Sequence, residues 1–96
     1  MRFKNQRFVT KGVCSNIGIP LQFFMWQCID DLDCKKDYLQ IFKFTMSDEK
    51  QKVTHIQENP EYKTEYLLNA DAPFFVGKIY VIDNGQYSTM LLADEY

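Results

Sequence analysis

From Tyr38 onward the hydrophobic pattern of this chain has a period of two, and nothing else in the sequence restricts its fold as strongly. Successive residues of a strand point to opposite faces of a sheet, so alternation marks strands. Tyr38–Met46 and Gln51–Gln57 flank the polar segment Ser47-Asp48-Glu49-Lys50, which is the pattern of a hairpin. Asn59-Pro60 breaks the chain before Tyr62–Leu68, a stretch rich in the Tyr and Thr that strands favour, and Asn69–Pro73 breaks it again. Phe74–Ile82 then runs into Asp83-Asn84-Gly85, whose Asn-Gly step favours a tight hairpin turn, and Gln86–Ala93 returns as the last strand. Strands joined by such short turns pair antiparallel.

One segment has the period of a helix. Pro20 suits a first helical position, and Leu21, Phe24, Met25, Cys28, Ile29 and Leu32 fall on one apolar stripe that ends near Asp33. Upstream, Arg7-Phe8-Val9-Thr10 reads as a short strand and Lys11 through Gly18 as a turn-rich connection. The expectation is a single α+β domain over all 96 residues, with one amphipathic helix packed on a meandering antiparallel sheet of five or six strands. Residues 1–6 are expected to form a flexible basic arm. The Phe74–Ile82 strand carries bulk on both faces, Phe74, Val76, Tyr80 and Ile82 on one and Phe75, Ile79 and Val81 on the other. A single helix covers one face of a sheet. The sheet therefore either curls into a partial barrel or offers its second face to another molecule.

Several function classes are disfavoured. The longest apolar run, Phe23-Phe24-Met25-Trp26, is far short of the roughly 20 residues that cross a bilayer. No apolar stretch of signal-peptide length follows the first residues, so a cytoplasmic protein that does not enter a membrane is expected. Three cysteines at irregular spacing, Cys14, Cys28 and Cys34, make no disulfide framework and agree with a reducing compartment. With His55 they lack the paired spacing of a zinc site, and no metal or other cofactor is indicated. The four glycines are scattered at 12, 18, 77 and 85 and form no phosphate-cradling loop, while nucleophile and metalloprotease motifs are absent. A small-molecule substrate is not indicated, and the chain is read as a non-enzyme.

Binding is the stronger reading. Eight Phe, six Tyr and one Trp are more aromatic surface than a small core readily absorbs. On the helix, Phe23 and Trp26 lie opposite the core stripe on the side that also carries Asp30, and Asp31 and Asp33 crowd the helix end against its dipole. Phe23, Trp26, Asp30, Asp31 and Asp33 are thus the expected protein-docking surface, for a partner or for a second copy. Charge is unevenly spread: Arg2, Lys4, Arg7 and Lys11 are the only charged residues before Asp30, and from Asp30 onward thirteen carboxylates face seven lysines. Those four basic residues define the alternative, a single-stranded nucleic acid whose bases stack on Phe42, Phe44, Tyr62, Tyr66 or Tyr80. The net charge of −2 and pI of about 5.3 weigh against it.

The segments Asp37-Tyr38-Leu39-Gln40-Ile41-Phe42, Gln57-Glu58-Asn59-Pro60-Glu61-Tyr62 and Val81 through Tyr96, together with the helix around Trp26, resemble a family of small uncharacterised Firmicutes proteins known only as a domain of unknown function. Similar members occur in staphylococci, including on chromosomal cassettes and other mobile elements, and often carry a basic residue where this chain has Ile56. The family supplies no activity and no catalytic residues to carry over. Its setting implies an accessory factor that binds other macromolecules.

Overall fold

Six strands, β1 (Gln6–Val9), β2 (Leu39–Ser47), β3 (Lys50–Gln57), β4 (Tyr62–Leu68), β5 (Gly77–Asp83) and β6 (Tyr87–Leu92), make one sheet in the order β1-β6-β5-β2-β3-β4. Two helices, α1 (Lys11–Asn16) and α2 (Ile19–Asp30), separate β1 from β2, and a short 3₁₀ turn, Ala93–Glu95, follows β6. This is a computed structural model that describes residues 2–69 and 74–96, so the expected break at 70–73 lies outside the described residues.

The α+β class, the helix on a sheet and the hairpins follow the sequence pattern. The β2–β3 hairpin turns through Asp48 and Glu49, and the β5–β6 hairpin turns at Asn84-Gly85, where Gly85 takes a φ of +98° that a side chain would disfavour. Four of the five pairings are antiparallel. The fifth, β1 with β6, is parallel, from Gln6 opposite Tyr87 to Val9 opposite Met90, so the sheet is mixed. Short-turn logic misses this pairing because the chain leaves β1 through both helices, a crossover long enough for strands to run the same way.

Lys11–Asn16, read as turn, is helical. The Thr10 hydroxyl caps it by accepting from Val13 N at 3.3 Å, and the segment earns its place by burying Val13, with Ile17 buried just beyond. Both helices contribute to the same buried cluster. Val13, Ile17, Met25 and Ile29 meet Phe42, Phe44, Val53, Ile79, Val81 and Met90 from the sheet. Among the described residues no second layer closes the far side, and the strand order ends at β1 and β4: the sheet is open, not a barrel.

Residues 2–5, expected as an arm, are packed. Phe3 is fully buried in the core, and its backbone N donates to an Asp83 carboxylate oxygen at 2.8 Å while Asn5 Nδ2 donates to the other at 2.9 Å. The same segment corrects the helix. Trp26 is only 8% exposed, because Arg7, reaching inward from β1, lays its guanidinium 4.6 Å from the indole centroid. The buried arc of α2 is therefore wider than the expected stripe: it adds Gln22 and Trp26 to Met25, Cys28 and Ile29, and leaves Leu21 and Phe24 half-buried.

Candidate functional site

The face of the sheet turned away from the helix-side core is the second surface that the strands build. Its residues are fixed by the register. One row across the strands reads Lys63, Ile56, Ile41, Tyr80, Leu91 from β4 to β6. Two residues along, toward the β5–β6 turn, a second row reads Leu39, Ile82, Thr89, Phe8. On the other side of the first row a third reads Glu65, Thr54, Lys43, Lys78. Apolar residues thus form a band of two rows across the sheet, with polar and charged ones along one long edge. Tyr96, 79% exposed, stands edge-on to Tyr80 at a centroid distance of 5.6 Å, and Phe8 pairs likewise with Tyr87 at 5.4 Å.

The charge on this face departs from that of the whole chain. Lys43, Lys50, Lys52, Lys63 and Lys78 stand on the outward phase of the strands, with Glu65 the one outward carboxylate among the described strand residues. Lys52 Nζ engages Glu65 at 3.0 Å, which holds that carboxyl below its ordinary pKa. Lys43 and Lys78 lie directly opposite each other on β2 and β5. Among the described residues neither has a carboxylate within 4.0 Å. Like charges opposed in register destabilise a sheet, so the fold carries a cost here that no carboxylate among the described residues offsets.

Of the residues singled out from the sequence as a docking surface, Trp26 is buried, Asp30 is half-buried, and Phe23, Asp31 and Asp33 are exposed. Phe23 is 68% exposed beside exposed Ile19 on the outer side of α2, while Trp26 is covered. Asp30 is half-buried and holds Arg7 through both carboxylate oxygens, with Lys4 at 4.0 Å. Asp31 accepts from Gln27 Nε2 at 2.8 Å, and Asp33 is exposed. Of the four basic residues, Arg7 is committed to Asp30 and Trp26, Arg2 donates to the Asp83 carbonyl at 3.4 Å, and Lys11 begins α1 at the surface. Phe42 and Phe44, expected as stacking platforms, are core residues. Tyr66 packs against Phe24 and Tyr62 against His55 on the helix side, which leaves Tyr80 as the one of the five on the open face.

Reactive side chains are dispersed: Cys14 is exposed, Cys34 half-buried, and Cys28 and His55 buried. His55 is fully buried and stacks on Phe42, and its Nε2 donates to Gln40 Oε1 at 2.7 Å. The donor assignment follows from Gln40 Nε2, which is itself given to Gln57 Oε1 at 2.6 Å. Gln57 in turn donates to the Pro60 and Lys35 carbonyls at 2.9 and 3.0 Å, so this polar chain ties two loops to the sheet. His55 Nδ1 is buried without a partner, and burial pushes the imidazole pKa down to about 4, so it stays neutral. Burial also raises the Cys28 thiol to about 11. Among the described residues no group of three or more His, Cys, Asp or Glu side chains could hold a metal ion, and no helix is long and apolar enough to cross a membrane.

A family model described as a staphylococcal protein of unknown function (DUF960) matches residues 6–95. A crystal structure of a protein of unknown function from Enterococcus faecalis is similar over 100% of this chain and 96% of that one, with 25% identity and a TM-score of 0.86. No curated protein matches the chain.

Proposed function

We propose that this chain, which belongs to the DUF960 family of staphylococcal proteins, is a non-enzymatic binding protein that docks a protein partner on the uncovered face of its sheet. The observation that carries this reading is the band of half-buried Ile56, Ile41, Tyr80, Leu39 and Ile82, with buried Leu91 at its β6 end, on the face of the sheet turned away from the helix-side core. Apolar residues at the centre with lysines at the margin have the anatomy of a protein interface. The role is that of an accessory factor, as the family's occurrence on mobile elements suggests. A nucleic acid is the weaker partner: the centre of the band is aliphatic apart from Tyr80, the rings of Phe8 and Tyr87 engage each other edge to face, and stacking platforms need free ring faces.

Affinity capture from a staphylococcal lysate tests it, with each captured protein identified, purified and titrated against the chain. The double variant Ile41→Glu/Tyr80→Glu keeps the core residues intact and is expected to lose the partner while retaining its circular dichroism spectrum. If the folded variant binds the purified partner as tightly as the parent does, the reading is wrong.

A further inference from the structure

We infer that the occupant of the open face is an acidic amphipathic helix of the partner, which lays aliphatic side chains along the half-buried Ile56-Ile41-Tyr80 row and sets carboxylates against Lys43 and Lys78. This rests on the reading that the face binds protein, and adds the chemistry of what binds.

The dimensions come from the register. Neighbouring strands lie about 4.8 Å apart, so the three half-buried apolar residues of the first row span about 10 Å, and Lys63 at its β4 end and buried Leu91 at its β6 end extend it to about 19 Å. The second row, two residues away along each strand, lies about 7 Å to one side. A band of that width and length matches the apolar stripe of a helix of about three turns, at 5.4 Å per turn. Lysines border one long edge only: Lys43 and Lys78 flank the first row, whereas the opposite margin holds Gln6 and Tyr87. A helix seated here therefore needs its carboxylates along one flank of its apolar stripe, and that asymmetry sets its direction. Such carboxylates relieve the Lys43–Lys78 repulsion that the free protein bears.

The competing occupants fit less well. Two copies stacked through this face would set lysine against lysine. A nucleic-acid strand would gain the lysines but little stacking, since Phe8 and Tyr87 already engage each other edge to face and aliphatic side chains fill the centre.

The experiment pans a phage-displayed library of random 16-residue peptides on the full chain, then measures synthetic copies of the enriched peptides by fluorescence anisotropy. The expected peptides carry apolar residues at i, i+3, i+4 and i+7 with Asp or Glu along one flank. Their affinity falls at least tenfold for Lys43→Glu/Lys78→Glu and drops as salt rises from 50 to 300 mM. The single variant Lys78→Glu, which sets a carboxylate opposite Lys43, is expected to weaken binding without lowering the thermal midpoint, an outcome that a structural role for Lys78 does not give. Enriched peptides without acidic bias that Ile41→Glu/Tyr80→Glu abolishes would keep the face as a protein site and overturn the acidic helix. Peptides unaffected by both double variants, or no enrichment, overturn the inference outright. So does an oligo-dT strand that binds the parent but not Lys43→Glu/Lys78→Glu, or a concentration-dependent dimer that Ile41→Glu/Tyr80→Glu dissolves.

Discussion

The two faces of the sheet are built from the same strands by the same alternation, yet they solve opposite problems. On the helix side, polar residues are buried and nearly all satisfied: Gln40, Gln51, Gln57, Asp83 and Ser88 bind loop backbone or one another. On the open side, apolar residues are left half-buried and two lysines are left opposed. A face that pairs all its described buried polar side-chain atoms but His55 Nδ1 is organised for stability, because a buried group without a partner costs more than the bond itself yields. On the binding role proposed above, a face that tolerates like charges in register is the one that meets a partner.

Adjacent residues on β2 offer the sharpest way to break that contrast. Phe42→Ala should cost about 3–5 kcal/mol in chemical denaturation, since it empties a fully buried site beside His55. Ile41→Ala, one residue away on the open face, should cost no more than about 1 kcal/mol. Equal costs would mean that the open face is covered in solution.

Acid should probe the helix side next. The folded-state pKa of His55 lies near 4, against 6.5 for the ordinary group. Between those values the unfolded chain binds a proton that the native state does not. The stabilising contribution is whole above pH 6.5 and is lost as pH falls toward 4. A shift of that size amounts to about 2 kcal/mol between pH 7.5 and pH 5. Denaturant midpoints across that range should show it, and His55→Gln should flatten the dependence above pH 5. Asp83, whose carboxyl is held below its ordinary pKa by bonds from Phe3, Gly85 and Asn5, acts in a lower window: its contribution is present above the unfolded value of 3.8 and is lost below it.

Two smaller effects complete the series. Arg7→Ala removes the contacts to Trp26 and Asp30, both partly solvent-screened, and should cost about 1 kcal/mol while increasing the exposure of the indole in fluorescence quenching. Lys78→Glu should move stability the other way, raising it by roughly 0.2–1 kcal/mol through a cross-strand pair with Lys43. A fall in stability there would show that the lysine pair is no burden to the fold.

Much of the architecture was legible because local signals suffice for it. The period of two gave the strands, Asn84-Gly85 gave a hairpin that needs positive φ, and Pro20 marked the start of the long helix. The fifth strand begins at Gly77, not Phe74, because Gly77 takes a φ of +151° that interrupts regular pairing before it. The failures share a different cause. Nothing near Trp26 in sequence says that Arg7 will cover it, and nothing near Phe3 says that Asp83 will hold its backbone. Both depend on contacts between distant segments. The lysine pair belongs to the same class, since its meaning appears only once β2 and β5 are known to be neighbours. Lys11–Asn16 escaped for a local reason: Gly12, Ser15 and Asn16 favour turns, and six residues are too few to display a helical period.

The parallel pairing of β1 with β6 also orders events in time. It joins residues such as Arg7 and Ser88 across most of the chain, whereas the β2–β3–β4 and β5–β6 ladders close through short connections. Loop closure of that length is entropically the costliest step and yields its contacts last. The first strand therefore docks onto a preassembled sheet edge. Its amides should be among the earliest ladder amides to exchange with solvent deuterium, since local opening retraces the late steps of assembly.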